Sequence, residues 1–107
     1  MQSSNESGRV PVQPTRILLI EDVATTVEVI KAYLRAASGA VVVDAVGSLR
    51  AALEQIANGS LDLIIADLNL PDSAGLDTLD SLAQATKCLI VVVTVEEGPK
   101  IRDAALA

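Results

Sequence analysis

The chain has 107 residues, of which 50% are hydrophobic, and its formal net charge is −6. This length is enough for one small domain. The absence of histidine excludes Ser-His-Asp and Cys-His catalysis, histidine-ligated metals and a phosphohistidine carrier. An acidic balance without a basic cluster argues against direct nucleic-acid binding. The single cysteine, Cys88, cannot form an internal disulfide, and no apolar run approaches membrane-spanning length. We therefore expect a cytoplasmic protein without membrane contact, in which Cys88 is a core residue.

The first third of the chain predicts a tail, a strand and a helix. Residues 1–15 are rich in Ser, Gln and Pro without periodicity, which indicates a flexible tail before a domain at 16–107. Arg16 to Ile20 is a short apolar run that predicts a strand, and Glu21 and Asp22 end it. Helical spacing then continues to Ser38-Gly39 through Val23, Val27, Ile30 and Leu34.

A second strand and helix follow. Three consecutive valines in Ala40 to Ala45 indicate the strand, and Ser48 is a suitable N-cap for the helix. The helix ends at Asn58-Gly59, and its apolar face consists of Leu49, Leu53 and Ile56.

The stretch from Leu61 to Gly75 is the centre of the chain. Leu61 to Ala66, broken only by Asp62, suits a strand that is buried on both faces of a parallel sheet. The apolar run stops at Asp67, and a loop follows. In open α/β sheets, ligands bind at the carboxyl ends of the strands, which is where Asp67 is expected.

The remaining sequence completes an alternating pattern. A third helix is predicted from about Ala74 to Ala85, and a fourth strand from Cys88 to Val93, ended by Thr94. Glu96 to Pro99 predicts a loop, and Lys100 to Ala107 the beginning of a helix. The order β-α-β-α-β-α-β-α indicates an α/β fold, a doubly wound parallel sheet with right-handed crossovers.

Polar groups follow three of these strands directly: Glu21 and Asp22 after the first, Asp67 after the third, and Thr94 after the fourth. Three carboxylates at one sheet edge repel each other, and a hard divalent cation such as Mg²⁺ removes that cost. A carboxylate beside such a cation can act as a nucleophile toward phosphorus.

The sequence resembles the receiver domain of two-component response regulators. The resemblance lies in LLIED at Leu18 to Asp22, DLNLPDSAG at Asp67 to Gly75, and VVVT at Val91 to Thr94. It implies a flavodoxin-like sheet of strand order 2-1-3-4-5, of which this chain holds four strands. It also implies a phosphoacceptor module rather than an enzyme, with a histidine kinase or phosphotransfer protein as its partner.

The resemblance further implies a role for each matching residue. Asp67 corresponds to the phosphoacceptor, and Glu21 and Asp22 to the acidic pair that binds Mg²⁺, Asp22 directly and Glu21 through water. The main-chain carbonyl of Asn69 corresponds to a further metal ligand. Thr94 corresponds to the switch hydroxyl, while Asn69 and Glu96 occupy positions that tune hydrolysis of the aspartyl phosphate.

The sequence departs from the family pattern in two respects. The family's fifth strand and its invariant lysine would lie beyond Ala107, and Val95 stands where the family usually has a small residue. We therefore expect a truncated receiver: either a fragment, or a chain whose exposed fourth strand is covered by another copy, giving a homodimer, or by the tail.

Alternatives stay open at this point. Glu21 and Asp22 could be only an acidic helix start, Asp67 only a loop-capping residue, and Thr94 an ordinary strand end. The chain could be a degenerate receiver that acts as a protein-interaction module without phosphoryl chemistry. A Mg²⁺-dependent phosphatase with an aspartate nucleophile ranks last, because such enzymes resembling the haloacid dehalogenase family have a second aspartate where Asn69 stands.

Overall fold

The structure, a computed structural model, describes residues 13–37 and 39–93. Predictions for residues 1–12 and 94–107, which include Thr94 and Glu96, lie outside the described residues. The described elements alternate as predicted: β1 (Thr15–Ile20), α1 (Ala24–Ala37), β2 (Val41–Val46), α2 (Leu49–Asn58), β3 (Leu63–Ala66), α3 (Leu76–Ala85) and β4 (Leu89–Val92).

The four strands form one parallel sheet in the order β2-β1-β3-β4. This confirms the α/β class and the first four positions of the flavodoxin-like order. Ile20 at the end of β1 is in register with Val46 of β2 and Ala66 of β3. The carboxyl ends of three strands are therefore level with one another, and the segments that follow them begin side by side.

The two central strands, β1 and β3, are buried on both faces of the sheet: successive side chains of a strand point to opposite sides, and each side contributes to a core. One core lies under α2 and α3 and consists of Leu18, Ile20, Ala52, Ile64, Ala66, Leu70 and Leu82. The other lies under α1 and consists of Ile17, Leu19 and Ile65, with Val27, Ile30 and Leu34 packed against it. Cys88, which we expected to be a core residue, is only half-buried and packs against the first core. The two cores confirm the doubly wound arrangement.

Several element boundaries differ from the prediction. β1 begins at Thr15, one residue earlier than predicted, and β2 spans Val41–Val46 rather than Ala40 to Ala45. β3 begins at Leu63 rather than Leu61, because the Asp62 carboxylate accepts a hydrogen bond from the Arg16 amide at 2.8 Å. α3 begins at Leu76 rather than near Ala74, because Gly75 precedes it with φ at 62°, in a region outside the helical range. β4 spans Leu89–Val92, a narrower range than Cys88 to Val93.

The helices of the described residues are short, and α1, with 14 residues, is the longest of them. None of these helices combines the length and apolar character that crossing a bilayer requires.

Candidate metal centre at the carboxyl edge of the sheet

Main-chain hydrogen bonds extend the parallel pairing past the strand ends and align the acidic residues. The amide of Glu21 donates to the Val46 carbonyl at 2.9 Å, and the amide of Asp67 donates to the Ile20 carbonyl at 2.9 Å. Both residues are therefore held by neighbouring strands at the same edge of the sheet. Their position follows from parallel pairing, in which equivalent strand ends meet.

The three predicted carboxylates converge at this edge. Glu21, Asp22 and Asp67 each offer a carboxylate oxygen, and these three oxygens lie within 4.8 Å of one another. Glu21 is buried, with 4% of its surface exposed, whereas Asp67 is half-buried and Asp22 is exposed. The site is thus a shallow acidic cluster with one side open to solvent.

The environment of Glu21 disfavours its charged form. Burial raises the pKa of the Glu21 carboxyl above its usual 4.5, and the nearby charges of Asp67 and Asp22 raise it further. A hydrogen bond from the Val23 amide to Glu21 Oε2, at 3.1 Å, lowers the pKa in part. Among residues 13–37 and 39–93, no lysine or arginine forms an ion pair with these carboxylates. The cluster therefore lacks a compensating positive charge from that part of the chain.

The alternative local roles of these acids are present only in part. α1 has no acidic residue in its first turn, so Glu21 and Asp22 are not simply an acidic helix start. Asp67 Oδ1 does accept a hydrogen bond from the main-chain amide of Asn69 at 2.9 Å, which is a loop-capping contact. This bond orients the Asp67 carboxylate while it lies in the cluster, so the two interpretations are compatible.

The donor set fits a hard divalent cation. Mg²⁺ prefers oxygen ligands at about 2.1 Å and retains several waters, which an open, carboxylate-only site permits. Carboxylate oxygens within 4.8 Å of one another are close enough to share one such ion, some as direct ligands and others through its waters. The cation would also remove the repulsion that raises the pKa of Glu21.

The other predicted site residues have different outcomes. Asn69 lies in the loop after β3, where it is exposed and its amide is bonded to Asp67. Thr94 and Glu96 lie outside the described residues. The last described residue, Val93, donates its amide to the Ala66 carbonyl at 2.9 Å, so the chain still pairs with β3 at that point.

A hydrogen-bond network in the β3–α3 loop is absent from the sequence prediction. Thr78 of α3 is fully buried, and its hydroxyl donates to the Leu68 carbonyl at 2.8 Å. The same hydroxyl lies 2.6 Å from that of Ser73. The carboxylate of Asp72 accepts hydrogen bonds from the amides of Leu49 and Arg50 in α2. The loop that follows Asp67 is thus fixed on two sides.

Comparisons with known proteins agree on one family. The model of the response regulator receiver domain matches residues 17–107. The chain is 33% identical over 96 residues to protein-glutamate methylesterase/protein-glutamine glutaminase 5 of Myxococcus xanthus, which covers 90% of this chain and 28% of that protein. It is 37% identical over 67 residues to the aerobic respiration control sensor protein ArcB of Escherichia coli, over 63% of this chain and 8% of that protein.

The fold comparison points the same way. A CheY-like response regulator receiver domain from Methylobacillus flagellatus superimposes with a TM-score of 0.69 and 25% identity, covering 85% of this chain and 80% of that chain. The chain spans less than a third of the two curated relatives described above. Since the family model covers most of the chain and the fold agrees, the chain belongs to the response regulator receiver domain family.

Proposed function

We propose that this chain is the phosphoacceptor module of a two-component phosphorelay. It would accept a phosphoryl group on Asp67 from a histidine kinase or a phosphotransfer protein, with Mg²⁺. The observation that carries the proposal is the convergence of the carboxylates of Glu21, Asp22 and Asp67 within 4.8 Å at the carboxyl edge of the sheet. Family membership adds the reaction class to this geometry.

The proposed metal ligands are the carboxylates of Asp22 and Asp67 and the main-chain carbonyl of Asn69, with Glu21 acting through water. When bound, Mg²⁺ would neutralise charge on the phosphoryl oxygens. The repulsion between the carboxylates of Asp22 and Asp67 and the negatively charged phosphoryl donor would therefore be reduced.

The chain's own contribution to the transfer is an oriented nucleophile. An oxygen of Asp67 attacks phosphorus and forms an O–P bond, while the P–N bond of the phosphohistidine donor breaks and its electron pair returns to the imidazole. The bond from the Asn69 amide to Asp67 Oδ1 holds the carboxylate in one orientation for this attack. Thr94 would then contact the phosphoryl group, and Asn69 and Glu96 would tune its hydrolysis.

The proposal includes a cellular setting and a boundary. Residues 16–107 would form the receiver module, to which Thr15 at the start of β1 also belongs, in a cytoplasmic phosphoprotein that binds neither nucleic acid nor membrane. The chain would act as a phosphoacceptor rather than as an enzyme, with at most slow self-dephosphorylation.

The decisive experiment uses a small phosphodonor. The purified chain is incubated with phosphoramidate and Mg²⁺, and intact mass spectrometry measures the addition of one phosphoryl group. We expect labelling of the wild type and of Asp77→Asn, which removes an exposed carboxylate of α3, and no labelling of Asp67→Asn. Labelling that persists in Asp67→Asn would refute the assignment of the phosphoacceptor.

The same samples test the degenerate-receiver alternative. An interaction-only module would keep the fold but would bind neither Mg²⁺ nor beryllofluoride, which mimics a phosphoryl group on a carboxylate. A wild-type chain that stays unlabelled, and whose NMR spectrum is unchanged by both additions, would favour that alternative over the phosphoacceptor function.

A further inference from the structure

The first turn of α2 takes two of its hydrogen bonds from a distant loop. The amides of Leu49 and Arg50 donate to the two carboxylate oxygens of Asp72, at 2.8 and 2.9 Å. These amides lie at the start of a helix, where no helical carbonyl is available to them. The two backbone hydrogen bonds hold the pKa of the Asp72 carboxyl below its usual value, which agrees with an ionised acceptor.

The other two amides of that turn are bound locally. Ala51 donates to the Ser48 hydroxyl at 3.1 Å, and Ala52 donates to the Ser48 carbonyl at 3.1 Å. All four amides of the first turn therefore have acceptors. Since half of these acceptors belong to Asp72, the β3–α3 loop is fastened to α2 by a pair of charge-assisted bonds.

The same loop is fastened to α3 on its other side. The Leu68 carbonyl accepts hydrogen bonds from the Gly75 amide at 3.0 Å and from the buried Thr78 hydroxyl at 2.8 Å. Asn69, whose carbonyl is a proposed metal ligand, lies between Leu68 and Asp72. Its main chain is thus held between two anchors, one on α3 and one on α2.

The start of α2 also lies beside the acidic pair. The Val46 carbonyl accepts the amide of Glu21, and a side-chain carbon placed on Gly47 would lie 3.6 Å from the Cα of Asp22. The connection from β2 to α2 is therefore in contact with the loop that holds Glu21 and Asp22. The β2–α2 connection thus contacts the segment after β1, and the first turn of α2 that follows it binds the loop after β3.

We propose that Asp72 is a positioning residue for this metal centre. By binding the first turn of α2, it holds the carbonyl of Asn69 at a fixed place relative to the carboxylates after β1. Asp72 acts through the main chain and is not itself a ligand. The proposal rests on the proposed function, since it concerns the same Mg²⁺ site.

The test is a Mg²⁺ titration of the full chain, monitored by NMR at a temperature where every variant is folded. Asp72→Ala removes both bonds to α2, and we expect its Mg²⁺ affinity to fall about tenfold, the lower end of the effect of residues that support metal ligands. Asp72→Asn keeps one carbonyl acceptor, so its affinity should lie between those of the wild type and Asp72→Ala.

Two control variants separate positioning from charge and from stability. Asp77→Asn removes one exposed negative charge, as Asp72→Asn does, and should leave the affinity within about twofold of the wild type, since solvent and salt screen the charge of an exposed side chain. Ser48→Ala removes a cap bond of the same helix but keeps Asp72 and its two partners. It should lower the thermal midpoint without a comparable loss of Mg²⁺ affinity.

The outcomes distinguish failure of the positioning role of Asp72 from failure of the proposed metal centre. If the wild type binds Mg²⁺ and Asp72→Ala binds it equally well, the positioning role is wrong and the proposed function stands. If Ser48→Ala or Asp77→Asn weakens binding as much as Asp72→Ala, the effect is one of stability or charge, and the positioning role is again wrong. If the wild type does not bind Mg²⁺, the metal centre itself is wrong.

Discussion

Glu21 is a buried acid among acidic neighbours, which opposes folding and favours a cation. In its folded environment the pKa of the carboxyl is raised, mainly by burial. Between the usual 4.5 and the raised pKa, the folded chain therefore binds more protons than the unfolded chain. Stability contributed by this group falls as the pH rises through that window. Above the window, the charged form is destabilising unless a cation compensates it.

Glu21→Gln tests this conflict. The amide keeps the size of the side chain and an acceptor for the Val23 amide, but it carries no charge. Without divalent cations at neutral pH, we expect the variant to unfold at higher denaturant concentration than the wild type, with a smaller difference near pH 4.5. Urea unfolding in the presence of a chelator, at both pH values, measures the effect.

Added Mg²⁺ should reduce the stability advantage of Glu21→Gln over the wild type. A ligand at one hundred times its Kd stabilises the folded state by about 2.7 kcal/mol, and Glu21→Gln should gain less than the wild type because its site is less acidic. An equal gain in the two proteins would contradict a role for Glu21 in cation binding.

The acids at the strand ends were predictable, whereas Asp72 and Thr78 were not. Glu21 and Asp67 each follow an apolar run directly, and Asp22 comes next after Glu21, so the place of all three at the sheet edge follows from local sequence. In the sequence Asp72 resembles an ordinary turn residue. Its partner Leu49 is 23 residues away, so local sequence does not reveal the contact. Thr78 lies in a leucine-spaced helix, and nothing local indicates that its hydroxyl faces the Leu68 carbonyl.

At the scale of elements, α3 has two fully buried side chains, Thr78 and Leu82, and Leu82 is the apolar one. Leu82 has no exposed surface and belongs to the core between the sheet and two helices, whereas Leu76, at the start of the same helix, is 72% exposed. Leu82→Ala should lower the free energy of unfolding by about 2–5 kcal/mol, because it leaves a cavity.

The matched control is Leu76→Ala, the same chemical change at an exposed position. It should alter the free energy of unfolding by less than about 0.5 kcal/mol. Chemical denaturation with a common slope compares the two variants. Similar losses in both would mean that α3 does not pack on the sheet through Leu82.

The pattern of apolar residues predicted every described helix and strand. It did not predict the boundaries that depend on tertiary contacts or on backbone conformation. The order of strands and helices follows from alternating apolar patterns and short connections. The early part of the Leu61 to Ala66 run is not strand: there the side chain of Asp62 accepts the hydrogen bond of the Arg16 main-chain amide, while the Asp62 amide donates to the Arg16 carbonyl. The start of α3 depends on the conformation of Gly75, which the leucine spacing does not report.

At the scale of the whole molecule, β4 exposes apolar side chains. Leu89 is 66% exposed, and Val91 and Val92 are each about two-fifths exposed. In the described part of the chain, β3 is the strand that pairs with β4. Exposed apolar strands promote association between chains, so the homodimer expected from the sequence stays a prediction.

Leu89→Lys tests that prediction with little cost to the fold, because its side chain is already mostly exposed. Size-exclusion chromatography with light scattering should show the 107-residue chain as a dimer or larger, and the variant shifted toward monomer. Circular dichroism checks that both are folded. A wild-type chain that remains a monomer at every concentration would contradict association through β4.

The shared cap of α2 also has a consequence for the order of folding. Two amides in the first turn of α2 have Asp72 as their acceptor. They gain these hydrogen bonds only after the β3–α3 loop, which is synthesised later, has docked. A nascent chain that has emerged only as far as β3 would carry an α2 with a frayed start. If docking of this loop follows the main folding barrier, loss of the Asp72 carboxylate will accelerate unfolding far more than it slows refolding.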